Sequence, residues 1–160
     1  MRSSFRIGDV FEMALSAGTV GFFQYAATDE TQLGSAVIRA FARTQFPQTA
    51  PDMNSIVAGQ VSFHAHVFLK AGLTLGIWRK VGNAPAPTRI DVLFRNSGDY
   101  GRPETTVSHD WYVWRINEPQ RRVARLLQEF HTAEIGVVKA PQEIAARMLT
   151  GSYAGIYPGY

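Results

Sequence analysis

Gly8-Asp9-Val10-Phe11-Glu12-Met13, followed by Gly21-Phe22-Phe23-Gln24-Tyr25, constrains this chain more than any other stretch. Two apolar segments, 9–15 and 19–28, flank the turn formers Ser16-Ala17-Gly18. The second is rich in Val, Phe and Tyr, which fit a pleated, half-buried surface. The pair predicts a β-hairpin that opens the domain. Side chains alternate across a strand, so Phe22 points away from Phe23 and Tyr25, or both faces must be covered.

The remaining elements follow from similar signals. Thr28 to Gln32 is a polar loop, in which Asp29 and Glu30 read as solvated charges. Residues 34–44 alternate imperfectly, with Ala36, Ile38, Ala40 and Ala42 on one parity and Val37, Arg39, Phe41 and Arg43 on the other, which predicts a third strand. Pro47 to Pro51 is a connection. Asp52 can cap a short helix that Gly59 ends. Residues 61–70 read as a strand with Val61, Phe63, Ala65, Val67 and Leu69 on one face and His64, His66, Phe68 and Lys70 on the other, less buried, face. Two glycines in 71–76 suggest a bend into 77–82, and Asn83 to Pro87 breaks any regular element. Ile90 to Phe94 and Trp111 to Ile116 are strands on either side of an exposed loop, Asn96 to Arg102.

Beyond Ile116 two readings stand. Val123, Leu126, Leu127 and Phe130 have helical spacing. Asn117-Glu118-Pro119-Gln120 is also a good turn, from which Arg121 to Leu126 could return as a strand. Pro141 to Leu149 is a helix with Pro at its first turn and Gly151 past its end, turning Ile144, Ala145, Met148 and Leu149 inward.

Strands dominate, and nothing alternates strand with helix as a parallel α/β fold does. The expected class is α+β: a strongly bent antiparallel β-sheet, or a small partly open β-barrel, with one or two flanking helices. Residues 1–150 form a single domain, and 151–160 a Gly/Tyr-rich tail or strap. A chain of 160 residues buries roughly 70% of its unfolded surface, enough for a core without staples. Cysteine is absent, which excludes disulfides, thiolate nucleophiles and Cys-based metal sites. Asp9 and Glu12 interrupt the place of a signal peptide's apolar segment, and no window approaches the ~18 apolar residues of a membrane span. The expected protein is soluble and cytoplasmic.

No segment spells out a reaction. His64 and His66 put two imidazoles on one side of a strand, about 7 Å apart. His109, Asp110 or Glu12 could supply a third metal ligand, but two ligands do not define a site. No cofactor is therefore expected, and His64 with His66 stands as a secondary metal alternative. Ser108-His109-Asp110 cannot act as a triad, because adjacent strand residues point in opposite directions. Neither a nucleophile elbow nor a phosphate-binding glycine loop is spelled out. Net charge is +3 and 13 of the 16 basic residues are arginine, with a cluster at Arg115, Arg121, Arg122 and Arg125. Beside Trp114 that cluster supports an alternative as a small nucleic-acid-binding domain, since aromatic side chains stack single-stranded bases. Aromatics beside arginine also suit protein interfaces. The candidate protein contacts are Asp99, Tyr100 and Arg102 in the exposed loop, with Arg43, Trp78 and Arg79 brought near if the sheet curls.

Gly8 to Met13, Phe22-Phe23-Gln24-Tyr25, and Gly34-Ser35 with Val37-Ile38-Arg39 resemble the opening strands of the immunity protein 26 family, which accompanies polymorphic toxins in bacteria. Phe63 to Leu69 resembles the family's next apolar strand. Gly76 to Pro85 resembles its Gly-Ile-Val-x-x-Val-Gly-Asn-x-Pro stretch, and Leu93-Phe94-Arg95 with Trp111 to Trp114 resembles the segment after it. These pieces run in the family's order over residues 5–127. Met13-Ala14-Leu15 departs from a more usual proline-containing strand end, and residues after 128 match poorly. The resemblance implies a β-rich α+β domain that is not an enzyme and neutralises a cognate toxin in the cytoplasm. It supplies no catalytic residues. The basic charge disfavours a basic nuclease as the partner.

Overall fold

The computed structural model describes residues 4–16, 18–45, 52–154 and 158, with the side chains of 43–45 excluded. Strands β1 (Asp9–Ser16), β2 (Thr19–Asp29), β3 (Ser35–Gln45), β4 (Val61–Val67), β5 (Trp78–Asn83) and β10 (Val138–Lys139) make one sheet. Its order is β10-β4-β3-β2-β1-β5. Strands β6 (Leu93–Ser97), β7 (Trp111–Arg115), β8 (Arg121–Val123) and β9 (Glu134–Ile135) make a second, in the order β8-β7-β6-β9. Helices α1 (Met53–Val57), α2 (Leu69–Thr74) and α3 (Pro141–Thr150) flank the sheets. The class is α+β with a bent sheet, as expected; among the described residues the strands close no barrel.

Both sheets are mixed rather than purely antiparallel. The two-residue strands β10 and β9 pair in parallel with β4 and β6, and every other described pairing is antiparallel. Bulges interrupt β1/β2, β1/β5, β2/β3 and β3/β4. Each adds local twist and bends the sheet, and together they explain why residues 34–44 alternate imperfectly.

The large sheet is covered on both faces. Phe11, Met13, Phe23, Ile38, Phe63 and Trp78 face Leu69 of α2 and Ile144 of α3. Phe23 stacks on Phe11 and meets the edge of Trp78, each with centroids 5.0 Å apart. Burying one such ring contributes roughly 1.5–3 kcal/mol. On the opposite face, Val10, Val20, Phe22 and Phe41 pack against Ile56 of α1, while Val37 meets Phe94 and Trp114 of the second sheet. This double cover buries Phe22 and Phe23 alike, although they point in opposite directions.

Several boundaries differ from expectation. β4 stops at Val67, and residues 69–74 form helix α2 rather than a strand end and bend. Leu69 and Leu73, one helical turn apart, both join the main core, and the Leu69 carbonyl accepts the Trp78 indole N–H at 2.9 Å. Gly72 admits that ring, because a Cβ there would lie 1.9 Å from Trp78 Cε2. β6 begins at Leu93, not Ile90, because its pairing starts opposite Arg115, the last residue of β7. Residues 119–130 take the hairpin: β8 pairs with β7, and a 3-10 turn follows at Gln128–Phe130. Leu126 and Phe130 still bury against Trp111, which mimics helical spacing, but Leu127 is exposed. Asn96 and Ser97 belong to β6, so the following loop is longer than predicted and runs from Gly98 to Asp110.

Helix α1 has the predicted Asp52 cap, whose side chain accepts from the Asn54 N–H. In α3, Glu143 accepts the Ala140 N–H at 2.8 Å, and Gly151 ends the helix with φ +83. Ile144, Ala145 and Met148 face the core, but Leu149 is exposed. After it, Tyr153 packs on Phe63 and lies beneath Lys139 and Arg147. The expected 47–51 connection, and residues 155–157 and 159–160 of the expected tail, lie outside the described residues. Among the described residues no helix is long and apolar enough to cross a membrane.

Candidate functional site

The hairpin motif residues build a buried knot. Gln24 Nε2 donates to the carbonyls of Ala84 (2.7 Å) and Gly8 (3.2 Å), and its Oε1 accepts from Arg39 Nε at 2.8 Å. Gly8 sits at φ +100, with Ala84 O only 2.6 Å from where a Cβ would be. Asp9 is fully buried and accepts from Lys80 Nζ (2.8 Å) and Asn83 Nδ2 (3.0 Å). Burial raises the Asp9 pKa, but these donors and the Arg6 N–H outweigh it and hold the carboxyl below its ordinary value. The knot ties β1, β2, β3 and β5 together and lines no cavity among those described. Its work is structural.

The loop between β6 and β7 has a different character. Ser108 Oγ donates to Asp99 Oδ2 (2.7 Å), lies 2.6 Å from Ser97 Oγ and accepts the Asp110 N–H at 3.1 Å. Ser97 Oγ accepts the Asp99 N–H at 2.9 Å, and the Ser108 carbonyl accepts the Trp111 indole N–H at 2.9 Å. The loop base is therefore cross-braced by buried hydroxyls. Its tip presents Tyr100 (41% exposed), Val107 (48%) and Arg102 to solvent. Ser108-His109-Asp110 forms no triad: Ser108 is the brace, His109 is exposed, and Asp110 accepts from Arg122 Nε at 2.8 Å.

Other predicted contacts fall elsewhere. Trp78 is 3% exposed beneath α2, so it cannot meet a partner. Arg79 is exposed on β5 and binds Glu12 Oε1 at 2.9 Å. Lys139 of β10 lies 5.9 Å from the Tyr100 ring, so the loop neighbours the opposite edge of the large sheet. Arg79 lies on β5, the other edge strand of that sheet. Arg43 lies on β3, and its side chain is outside the described residues.

The basic cluster is also changed by the fold. Trp114 is 2% exposed and donates its indole N–H inward to Asp29, so it offers no stacking face. Arg115 pairs with Asp91 and Arg122 with Asp110, each at 2.8 Å, while Arg121 lies over the Phe130 ring and Arg125 is exposed. Half of the cluster's charge is thus matched by carboxylates.

His66 is fully buried, contrary to the expectation of a less buried face. Its Nε2 lies 2.9 Å from Asp29 Oδ2. Asp29 is itself fully buried rather than solvated; it also accepts from Trp114 Nε1 (3.1 Å) and from the N–H groups of Asn117 (3.0 Å) and Gln32 (3.2 Å). Sequence reasoning missed this node, because nothing local distinguishes Asp29 from a loop carboxylate. Burial, with the charges of Arg39 and Arg147 acting the same way, pushes the His64 pKa down to about 4. Among the described residues, no three or more His, Asp or Glu side chains are placed to hold a metal ion.

The largest described groove, about 660 Å³, runs between the end of β2, residues 86–91 and the β7–β8 turn. Glu30, Arg89, Asp91, Arg115 and Glu118 line it, and no histidine does. No protein family, curated protein or solved structure compared with this chain matches it.

Proposed function

We propose that this chain is a non-enzymatic, immunity-type protein that binds and neutralises a cognate toxin in the bacterial cytoplasm. The observation that carries the reading is the braced loop from Gly98 to Asp110. A loop fixed before binding loses little conformational entropy on association. Here the fixed base displays an aromatic ring and a guanidinium, Tyr100 and Arg102, the residue types that dominate interface energetics. The resemblance of residues 5–127 to immunity protein 26 supports the choice of a toxin as the partner.

Coexpression with the toxin domain encoded immediately upstream tests this. The expected result is a stable complex and restored growth. The double variant Tyr100→Ala/Arg102→Ala should weaken binding by roughly 30- to 1000-fold, the range for a combined loss of about 2–4 kcal/mol. Its melting temperature should stay within about 1 °C, since both side chains face solvent. A double variant that binds as tightly as the parent refutes the loop as the contact. Failure of every neighbouring toxin domain to bind refutes the reading itself.

A further inference from the structure

The joint between the two sheets is unusual in its chemistry. Polar ties across it converge on the end of β2. Across the joint Asp29 accepts from Trp114 of β7 and from the Asn117 N–H, and within the large sheet it accepts from His66 of β4, whose ring faces Phe94 of β6. Asn117, held in the left-handed region at φ 61, adds two more bonds: its Nδ2 donates to the Thr28 carbonyl (3.0 Å) and its Oδ1 accepts the Glu30 N–H (2.7 Å). The apolar part is small, with four buried residues, Val37, Val92, Phe94 and Trp114, against eleven in the main core. Docking of the second sheet therefore leans on two carboxylates: Asp29, and Glu134 of β9, which accepts from the His64 N–H of β4 (3.2 Å) and from Arg147 of α3 (2.7 Å).

The network assigns the imidazole proton. The Asp29 carboxylate is the acceptor for an indole and two backbone N–H groups, so His66 Nε2 carries a hydrogen and donates as well. His66 Nδ1 is then a bare lone pair. It is buried without a hydrogen-bond partner, with the Phe94 ring centroid 4.2 Å from the imidazole centroid. A second proton would create a buried N–H with no acceptor, which disfavours the docked state.

The surrounding charges are otherwise committed. On β3, Arg39 binds Gln24; on β10, Lys139 binds Glu143; on β9, Glu134 binds Arg147. On β6, Arg95 lies over Trp111, and on β4 itself His64 shares the His66 face beside Arg39. Asp29 is the acid bonded to the His66 ring.

We propose that the Asp29 node is an acid-operated latch: protonation of His66 releases the second sheet from the first while the six-stranded sheet stays folded. The sign follows from linkage. Burial lowers the His66 pKa, with Asp29 opposing, so the docked state binds fewer protons than the undocked one. Proton uptake then favours undocking once the pH falls below the ordinary histidine value of about 6.5.

Hydrogen exchange on the intact chain at pH 7.5 and 5.5, corrected for intrinsic rates, tests the latch. Amides in 93–97 and 111–115 should lose protection at least about tenfold at the lower pH, the ratio for about 1.4 kcal/mol. Those in 20–29 and 36–41 should lose less, by no more than the fall in global stability that urea unfolding reads over the same pH step. His66→Gln keeps an N–H donor for Asp29 but cannot titrate, so in it the second sheet should lose no more protection than the first. Equal loss in both sheets, no loss in either, or an unchanged step in His66→Gln overturns the proposal. If that variant does not fold, the parent still decides: the NMR titration midpoint of His66 must coincide with the release midpoint, and separate midpoints overturn the latch.

Discussion

Replacing Gln24 by leucine asks whether the hairpin motif serves the fold. The amide makes three hydrogen bonds inside the knot, two to carbonyls and one from a guanidinium. The Gly8 carbonyl would keep a bond from the Ala84 N–H at 3.0 Å, but among the described residues the Ala84 carbonyl accepts only from Gln24. An orphaned buried carbonyl costs about 1–3 kcal/mol, and a hydrogen bond to a charged group contributes about 1.5–3 kcal/mol. Arg39 is half-buried and recovers part of its loss from water, and leucine adds apolar contact. The net expectation is about 3 kcal/mol, or a melting temperature lower by roughly 6–12 °C in a chain of this size. Urea unfolding followed by circular dichroism measures it. Gln24→Glu sharpens the test. A carboxylate could pair with Arg39 but has no hydrogen for the two carbonyls, so it should destabilise at least as much. A leucine variant within about 1 kcal/mol of the parent, or a glutamate variant more stable than it, refutes the assignment of Gln24 as the knot's donor.

Three further outcomes are expected. His64 has a folded-state pKa of about 4 against about 6.5 unfolded, so its contribution is complete above pH 6.5 and is lost as the pH falls towards 4. Unfolding free energy should drop by up to about 2 kcal/mol between pH 6.5 and 5, and a His64→Gln variant should flatten that slope in urea titrations. Gly72→Ala would set a methyl against the Trp78 ring, where a Cβ meets three ring atoms within 2.3 Å, and should cost about 3 kcal/mol in thermal denaturation; a loss under 1 kcal/mol would contradict the close approach. Arg115→Ala removes an exposed ion pair with Asp91 and should leave the melting curve essentially unchanged, with any effect disappearing at high salt.

Local signals carried the hairpin, β3, α1 and α3. The hairpin shows as two β-prone runs around a Gly-containing turn, α1 by Asp52 and Gly59, and α3 by Pro141 and Gly151. Where reading failed, a distant partner had decided. By local signals residues 69–70 end a strand and 71–76 bend, yet 69–74 coil because Leu69 and Leu73 reach the core and Trp78 claims the space over Gly72. The segment 119–130 carries both periods at once, and pairing of β8 with β7 selected the hairpin. Trp78 and Trp114 looked like surface anchors, but each found a second layer to enter.

By its own pattern the chain fixed a strand-rich α+β domain, because side-chain period, caps and turn formers act between residues a few positions apart. Which aromatics are covered, which face of β4 is dry, and what Asp29 binds were settled only when two sheets met. Those outcomes depend on removing groups from water against partners 37 to 88 positions away, as for His66 and Asn117 with Asp29, and no local pattern encodes such a meeting.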